Sequence, residues 1–172
     1  FYEIDGTPNV TANYYKVING QEMGSLANAM IEEDDNIYVV LDKSKYVARL
    51  DMTTKEQARY TFPEGEGGPR CIDVEDDYAY VTQHGGKVSK LNINDMSLVA
   101  TFEGGDNLEG IVEKDGKLYV ANAWKIDGSN NYVYNKEILV IDAKTMTQTG
   151  TISVVENPEN MYEIDNQIYA IS

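Results

Sequence analysis

The sequence predicts an all-β chain, a β-propeller of four-stranded antiparallel blades with three full units and a half unit at each end. Three observations predict it. The segments NIYVVLD, YAYVTQH, KLYVANA and QIYAIS align on Tyr38, Tyr80, Tyr119 and Tyr169 at separations of 42, 39 and 50 residues, and repeats of roughly 40 to 50 residues are blade-sized. Around each tyrosine, apolar and polar residues alternate with period two and Tyr, Val, Ile and Thr are enriched, as in strands. Acidic or Asx turn residues then recur at matching places in successive units.

The elements follow in order. Residues 1 to about 23 read as the third and fourth strands (C and D) of a unit, FYEID and NYYKVI. Units at about 24–63, 64–103 and 104–154 each carry strands A to D, and 155–172 supplies a last A–B pair. The A strands precede acidic turns in NAMIEEDD, RCIDVEDD, EGIVEKDG and NMYEIDN. The C strands in YVARLDMTT, VSKLNINDM and EILVIDAKT align on Leu50, Leu91 and Ile141, and Asp51, Asn92 and Asp142 follow to cap tight turns. ARYTF, LVATF and QTGTI close the units. SLANAMIEE alone passes for a helix, but it stands in the A-strand register and is assigned as a strand. The chain is expected to be one domain or segment of a larger propeller of six to eight blades. Closure into a four-bladed ring and self-association through exposed end blades are the alternatives, because a blade has two apolar faces that only neighbours cover.

Composition narrows the partners. Asp and Glu number 29 against 14 Lys and Arg, a formal charge of -15, which repels nucleic acid. Cys71 is the single cysteine, so no disulfide forms within the chain. No apolar run reaches the roughly 18 residues of a membrane-spanning helix. The opening FYEIDG lacks an initiator methionine, a basic n-region and an h-region, so a removed leader, a lipid anchor or a longer parent would each fit.

Propeller geometry picks the candidate site. The A strands line the channel, and the D-to-A and B-to-C loops gather at one mouth, so matching repeat positions converge there. Two places before the core residues Met30, Ile72, Ile111 and Met161 stand Asn28, Arg70, Glu109 and Glu159, with Asn160 beside the last. Arg70 and Glu109 read equally as an ion pair between neighbouring units or as ligand contacts. From the B tyrosine to the C anchor the distances are 12, 11 and 22 residues, so the third unit carries an inserted loop. It brings Trp124, Tyr132 and Tyr134 to the mouth face, where such rings either anchor a ligand or pack the loop internally. The matching loops supply Lys43 and His84. His84 is the single histidine; no GxSxG or HExxH motif occurs, and EGEGGP lacks the Lys-Ser/Thr of a phosphate loop. No cofactor is expected, apart from a divalent cation such as calcium in the alternative where Glu109, Glu159, Asn28 and Asn160 supply oxygen ligands.

KLYVAN, GKVSKLNINDMSLVATFEG and EILVIDAKTMTQTGTISV resemble the YVTN-type β-propeller repeat proteins. The third unit is similar to surface propellers of gut Bacteroidetes, a group that includes a cobalamin-binding surface lipoprotein encoded beside outer-membrane vitamin transporters. The similarity covers most of residues 24–172. The resemblance implies a larger, about seven-bladed propeller, exported to the cell surface or the periplasm, where a lipid anchor would fit, with an outer-membrane transporter as a partner. The leading functional reading is a non-enzymatic propeller that captures a small molecule, a corrinoid or a glycan, at the channel mouth. A lactonase- or lyase-type enzyme using channel carboxylates and a cation, and a protein-interaction scaffold, are the alternatives.

Overall fold

The computed structural model of the protein describes residues 2–4 and 10–172. The chain opens with β1 (Tyr2–Ile4), β2 (Val10–Ala12) and α1 (Tyr14–Asn19). A first sheet follows, of β3 (Ala27–Glu33), β4 (Asn36–Leu41), β5 (Tyr46–Asp51) and β6 (Glu56–Thr61). The second has β7 (Pro69–Glu75), β8 (Tyr78–Gln83), β9 (Lys87–Asn92) and β10 (Leu98–Glu103). The third has β11 (Asn107–Lys114), β12 (Lys117–Ile126), β13 (Tyr132–Asp142) and β14 (Thr147–Ser153), and β15 (Asn160–Ile164) with β16 (Gln167–Ile171) ends the chain. Within each of the three sheets, strand order equals chain order and every pairing is antiparallel. These are three blades and the inner half of a fourth. The innermost strands β3, β7, β11 and β15 are successive neighbours around one channel.

Local chemistry produces this pattern. The acidic A-to-B turns are tight hairpins that need positive φ, which Asp, Asn and Gly tolerate best. Asp34 and Asp35, Asp115 and Gly116, and Asp165 and Asn166 all adopt it. At the C-to-D turns the expected Asx caps form: Asp51 Oδ1 accepts from the Thr53 and Lys55 amides at 2.8 and 3.1 Å, Asn92 Oδ1 from Asn94 at 2.8 Å, and Asp142 Oδ1 from Thr145 at 2.7 Å. SLANAMIEE is strand over Ala27–Glu33, as the repeat requires.

The four aligned tyrosines occupy one register. Tyr38, Tyr80, Tyr119 and Tyr169 sit opposite Ile31, Asp73, Val112 and Tyr162 of their A strands. Their exposure tracks what lies behind them. Tyr38 and Tyr80 are 1% and 4% exposed against the next blade, Tyr119 is half-buried against the half blade, and Tyr169, in the last described pair of strands, is 47% exposed. The first inter-blade core sets Tyr38, Val40 and Val47 against Ile72, Val81 and Leu91. The second sets Tyr80 and Val88 against Leu108, Ile111, Leu118 and Ile141. Each fully buried aliphatic side chain there contributes about 2 kcal/mol. Away from the mouth, Lys90 reinforces the second interface, its Nζ donating to the Ala143 carbonyl at 2.9 Å and standing 3.8 Å from the centre of the Tyr78 ring.

The beginning of the chain differs from expectation. NYYKVI is not a D strand: α1 takes Tyr14–Asn19, and β2 pairs with β1 in its place. Phe1 and Asp5 of FYEID lie outside the described residues. The physical reason is the open face of the first blade. Tyr15 is buried against Val39, Leu41, Tyr46, Ala48 and Leu50, and its hydroxyl donates to Glu56. Asn19 fastens the helix by donating to the Thr54 carbonyl at 2.8 Å and accepting from the Glu56 amide at 2.9 Å. A turn of helix thus covers part of the face that a preceding blade would cover.

At the other end, β15 docks through backbone. The Gly110 amide donates to the Glu159 carbonyl at 2.6 Å, and a Cβ at Gly110 would lie 2.6 Å from that oxygen and 2.7 Å from the Met161 nitrogen. Gly110→Val should therefore detach the half blade. Hydrogen exchange is expected to accelerate at least about tenfold across 160–171, with β7–β10 unchanged. Tyr15→Ala should lower unfolding free energy by about 3 kcal/mol in urea titrations.

Candidate functional site

The mouth is built from repeat-equivalent side chains. Asn28, Arg70, Cys71, Glu109, Glu159 and Asn160 line a cavity of about 220 Å³. It lies at one end of a channel of about 520 Å³ walled by β3, β7, β11 and β15. The four residues picked by repeat position thus converge from four units, and Asn160 joins them. Lys43 does not: it is exposed in the turn after β4 and does not line the cavity. That turn is fixed by the Asp42 amide donating to Leu26 and the Lys45 amide donating to Asp42, which directs Asp42 inward instead.

Arg70 is the hub. Its Nε donates to Glu109 Oε2 at 2.9 Å and its Nη1 to Asp42 Oδ2 at 3.0 Å. In the amide orientation that satisfies both groups, the Asn28 oxygen accepts from the same nitrogens at 3.1 and 2.6 Å. Glu109 is buried apart from 12% of its side chain, and its other oxygen accepts from His84 Nε2 at 2.8 Å. Burial pushes the Glu109 carboxyl up, but the hydrogen bonds from His84 and Arg70 outweigh it and hold the group below the usual range. Burial likewise works against the Arg70 charge, and Glu109 and Asp42 more than offset it. The Cys71 thiol, half-buried beside them, is pushed up to about 11 by its partial burial and stays protonated at neutral pH.

Sequence reasoning missed Asp42, although a signal was present. Asp42 and His84 stand four places after Tyr38 and Tyr80, so they are repeat equivalents. Each leaves its B strand and reaches the A strand of the next unit, Asp42 to Arg70 and His84 to Glu109. The equivalent place in the third unit is Ala123, where the chain of contacts stops. Gly68 makes the first contact feasible, because a Cβ there would sit 1.7 Å from Asp42 Oδ1. The ion-pair reading of Arg70 and Glu109 is the one the geometry realises.

The insertion is a ribbon, not a loop. β12 and β13 continue pairing up to Ile126 opposite Tyr132, and the turn is tied by Asp127 accepting from the Ser129 and Asn131 amides at 2.8 and 2.9 Å. Trp124 packs with its ring centre 5.3 Å from His84, nearly perpendicular, and 5.1 Å from Tyr132. This ring series continues the mouth network outward: Arg70, Glu109, His84, Trp124, Tyr132. Tyr134 lies on the same ribbon face, opposite Trp124.

Deeper in the channel, Asp73 Oδ2 accepts the Glu113 amide at 2.6 Å and joins the second and third A strands. Glu33, Glu75, Glu113 and Glu163 line the same channel. Burial dominates at Asp73, raising its carboxyl from 3.8 to about 6, and it raises Glu33 and Glu113 as well. Among the described residues, no three His, Cys, Asp or Glu side chains are grouped to hold a metal ion.

No family model matches the chain, and no curated protein matches its sequence. Solved structures do match in shape. The computationally designed Ika4 protein superposes with a TM-score of 0.69 at 11% identity, over 87% of each chain. The Neurospora crassa Pan2 WD40 domain gives 0.64 at 12% identity over 85% of this chain and 43% of that one. The WD40 β-propeller domain of Doa1 gives 0.63 at 11% identity over 84% and 46%. The chain therefore spans less than half the length of these two WD40 chains. At such identities the likeness establishes the propeller-type fold.

The Asp73 shift sets a pH dependence. Its folded pKa of about 6 exceeds the ordinary 3.8, so the folded state holds an extra proton between those values, and stability falls as pH rises through this window. Asp73→Asn keeps an oxygen for the Glu113 amide and removes the buried charge. Urea unfolding at pH 8 is expected to show a gain of about 1–3 kcal/mol, vanishing near pH 4.

Proposed function

We propose that this propeller is a non-enzymatic, exported binding module of the YVTN type that captures a small polar ligand, the terminal sugar of a glycan, at the channel mouth. The observation supporting it is the convergence of Asn28, Arg70, Glu109, Glu159 and Asn160 from four units around one cavity. A cavity of about 220 Å³ is below the roughly 300–1,000 Å³ of sites that enclose drug-sized ligands. A single sugar ring suits it, whereas a corrinoid would have to lie across the mouth. Arg70 and Glu109 hold each other in place, so the cavity wall is set before a ligand arrives and ordering costs are small. Glu159 and Asn160, exposed on the lip, offer acceptor and donor groups to neighbouring hydroxyls. Trp124 stands at the rim beyond His84. The alternative of a cation held by Glu109 would have to displace His84 or Arg70 from its oxygens.

Calorimetry against methyl glycosides, short glycans and cyanocobalamin, with and without calcium, tests this reading. At least one glycan should give saturable heat independent of calcium, weakened about tenfold or more by Glu159→Ala with Asn160→Ala. Heat from cyanocobalamin alone, or an affinity untouched by the double variant, would remove the glycan assignment.

A further inference from the structure

The outer part of the β12–β13 ribbon is not used by the channel-mouth site. β11 begins opposite Trp124, and the Val154 and Asn157 amides still donate to the Lys136 and Asn135 carbonyls, so the ribbon stands clear of its own sheet only beyond these, from Lys125 to Tyr134. Period two places Trp124, Ile126, Tyr132 and Tyr134 on one face, in the cross-strand pairs Trp124–Tyr134 and Ile126–Tyr132. Lys125 and Val133 take the other face, where Lys125 stands 3.9 Å from Asp106. Trp124 is committed inward against His84 and Tyr132. Ile126, Tyr132 and Tyr134 remain 49%, 62% and 51% exposed. Rigid, amphipathic rings on a projecting hairpin give large contact area at low entropic cost, the composition of protein-binding surfaces.

Charge and ring chemistry select the partner. The chain carries 15 more carboxylates than cationic side chains, and cations of the same rim are engaged: Arg70 by Asp42 and Glu109, Lys87 by Glu66 and Glu103, Lys125 by Asp106. The surface is thus left with an uncompensated negative field that steers cationic partners. Tyrosine faces elsewhere in this chain already hold cations: the Arg59 guanidinium lies 4.2 Å from the Tyr46 ring centre and Lys90 Nζ lies 3.8 Å from that of Tyr78. We infer that the outer face of this hairpin docks an arginine-bearing segment of a partner protein, the guanidinium over Tyr132 or Tyr134 and its aliphatic stem against Ile126. Arginine is favoured over lysine because its planar, weakly hydrated cation stacks on rings. A projecting ribbon would leave a small cation mostly in water, while a polypeptide can contact several of these side chains at once.

The single tryptophan, Trp124, makes the test direct, since its ring touches Tyr132 on this face; it also touches His84 of the mouth, so a channel-mouth variant serves as the control. The full chain is titrated with acetyl-Gly-Arg-Gly-Arg-Gly-amide and with the same peptide carrying neutral citrulline for arginine. The arginine peptide should give a saturable change, weaker by about tenfold for citrulline, the size expected of exposed cation–π contacts. High salt should weaken it similarly. Tyr132→Ser with Tyr134→Ser should abolish it, and Tyr132→Phe with Tyr134→Phe, which keeps both rings, should retain it. Glu159→Ala with Asn160→Ala should leave it intact, which separates this surface from the channel mouth. An equal response to the two peptides, no saturable response, or undiminished binding by the serine double variant would overturn the proposal.

Discussion

A sheet with two apolar faces cannot be dry on its own, and that single constraint organises the molecule. Each blade here leans one face on the blade before it and offers the other to the blade after, so burial is a property of neighbours rather than of any one unit. The B-strand tyrosines record this: the same residue type in the same register goes from fully buried, where a four-stranded sheet packs on it, to half-exposed in the last described pair of strands. On the face of the first blade away from the second, Tyr15 on a short helix meets part of the same need.

The channel mouth is a consequence of that stacking. Once successive units are related by one operation, a residue leaving a B strand lies against the start of the next A strand, and the Asp42–Arg70 and His84–Glu109 contacts are two instances of one relation. Their linkage through Arg70 and Glu109 makes a network spanning three units, in which opposed charges offset a desolvation that would otherwise be costly. Asn28 completes it from the first unit. A mouth wired this way is held in shape by its own electrostatics, and the exposed groups lie on the lip at Asn160 and at Glu159, which accepts from Asn157. Deeper in, several carboxylates line the channel wall, and burial raises the pKa of Asp73.

Much of this was readable from residues in order. The four tyrosines, the acidic turns and the Asx caps fixed unit boundaries, and repeat position alone singled out Asn28, Arg70, Glu109 and Glu159 before any coordinates, because equal spacing in sequence becomes equal placement in space. Other features were hidden. Asp42 occupied the place equivalent to His84, but its pairing depends on a turn that aims it at the next unit and on the space vacated at Gly68. NYYKVI holds the strand-enriched residues Tyr, Val and Ile, yet it is helical and buries Tyr15 against the first blade.

The sequence by itself determined the four strands of each full unit, the alignment of their tyrosines, the Asx turns and Asn28, Arg70, Glu109 and Glu159 as residues that meet at the channel mouth, since these follow from local periodicity and repetition. The tertiary structure alone decided how those residues use one another. Whether Arg70 is left open or neutralised, whether Trp124 faces out or packs on His84, and whether an insertion is a loop or a stiff ribbon all depend on distances between units. Those distances are set by side chains packing across blades, and a one-dimensional pattern does not carry them.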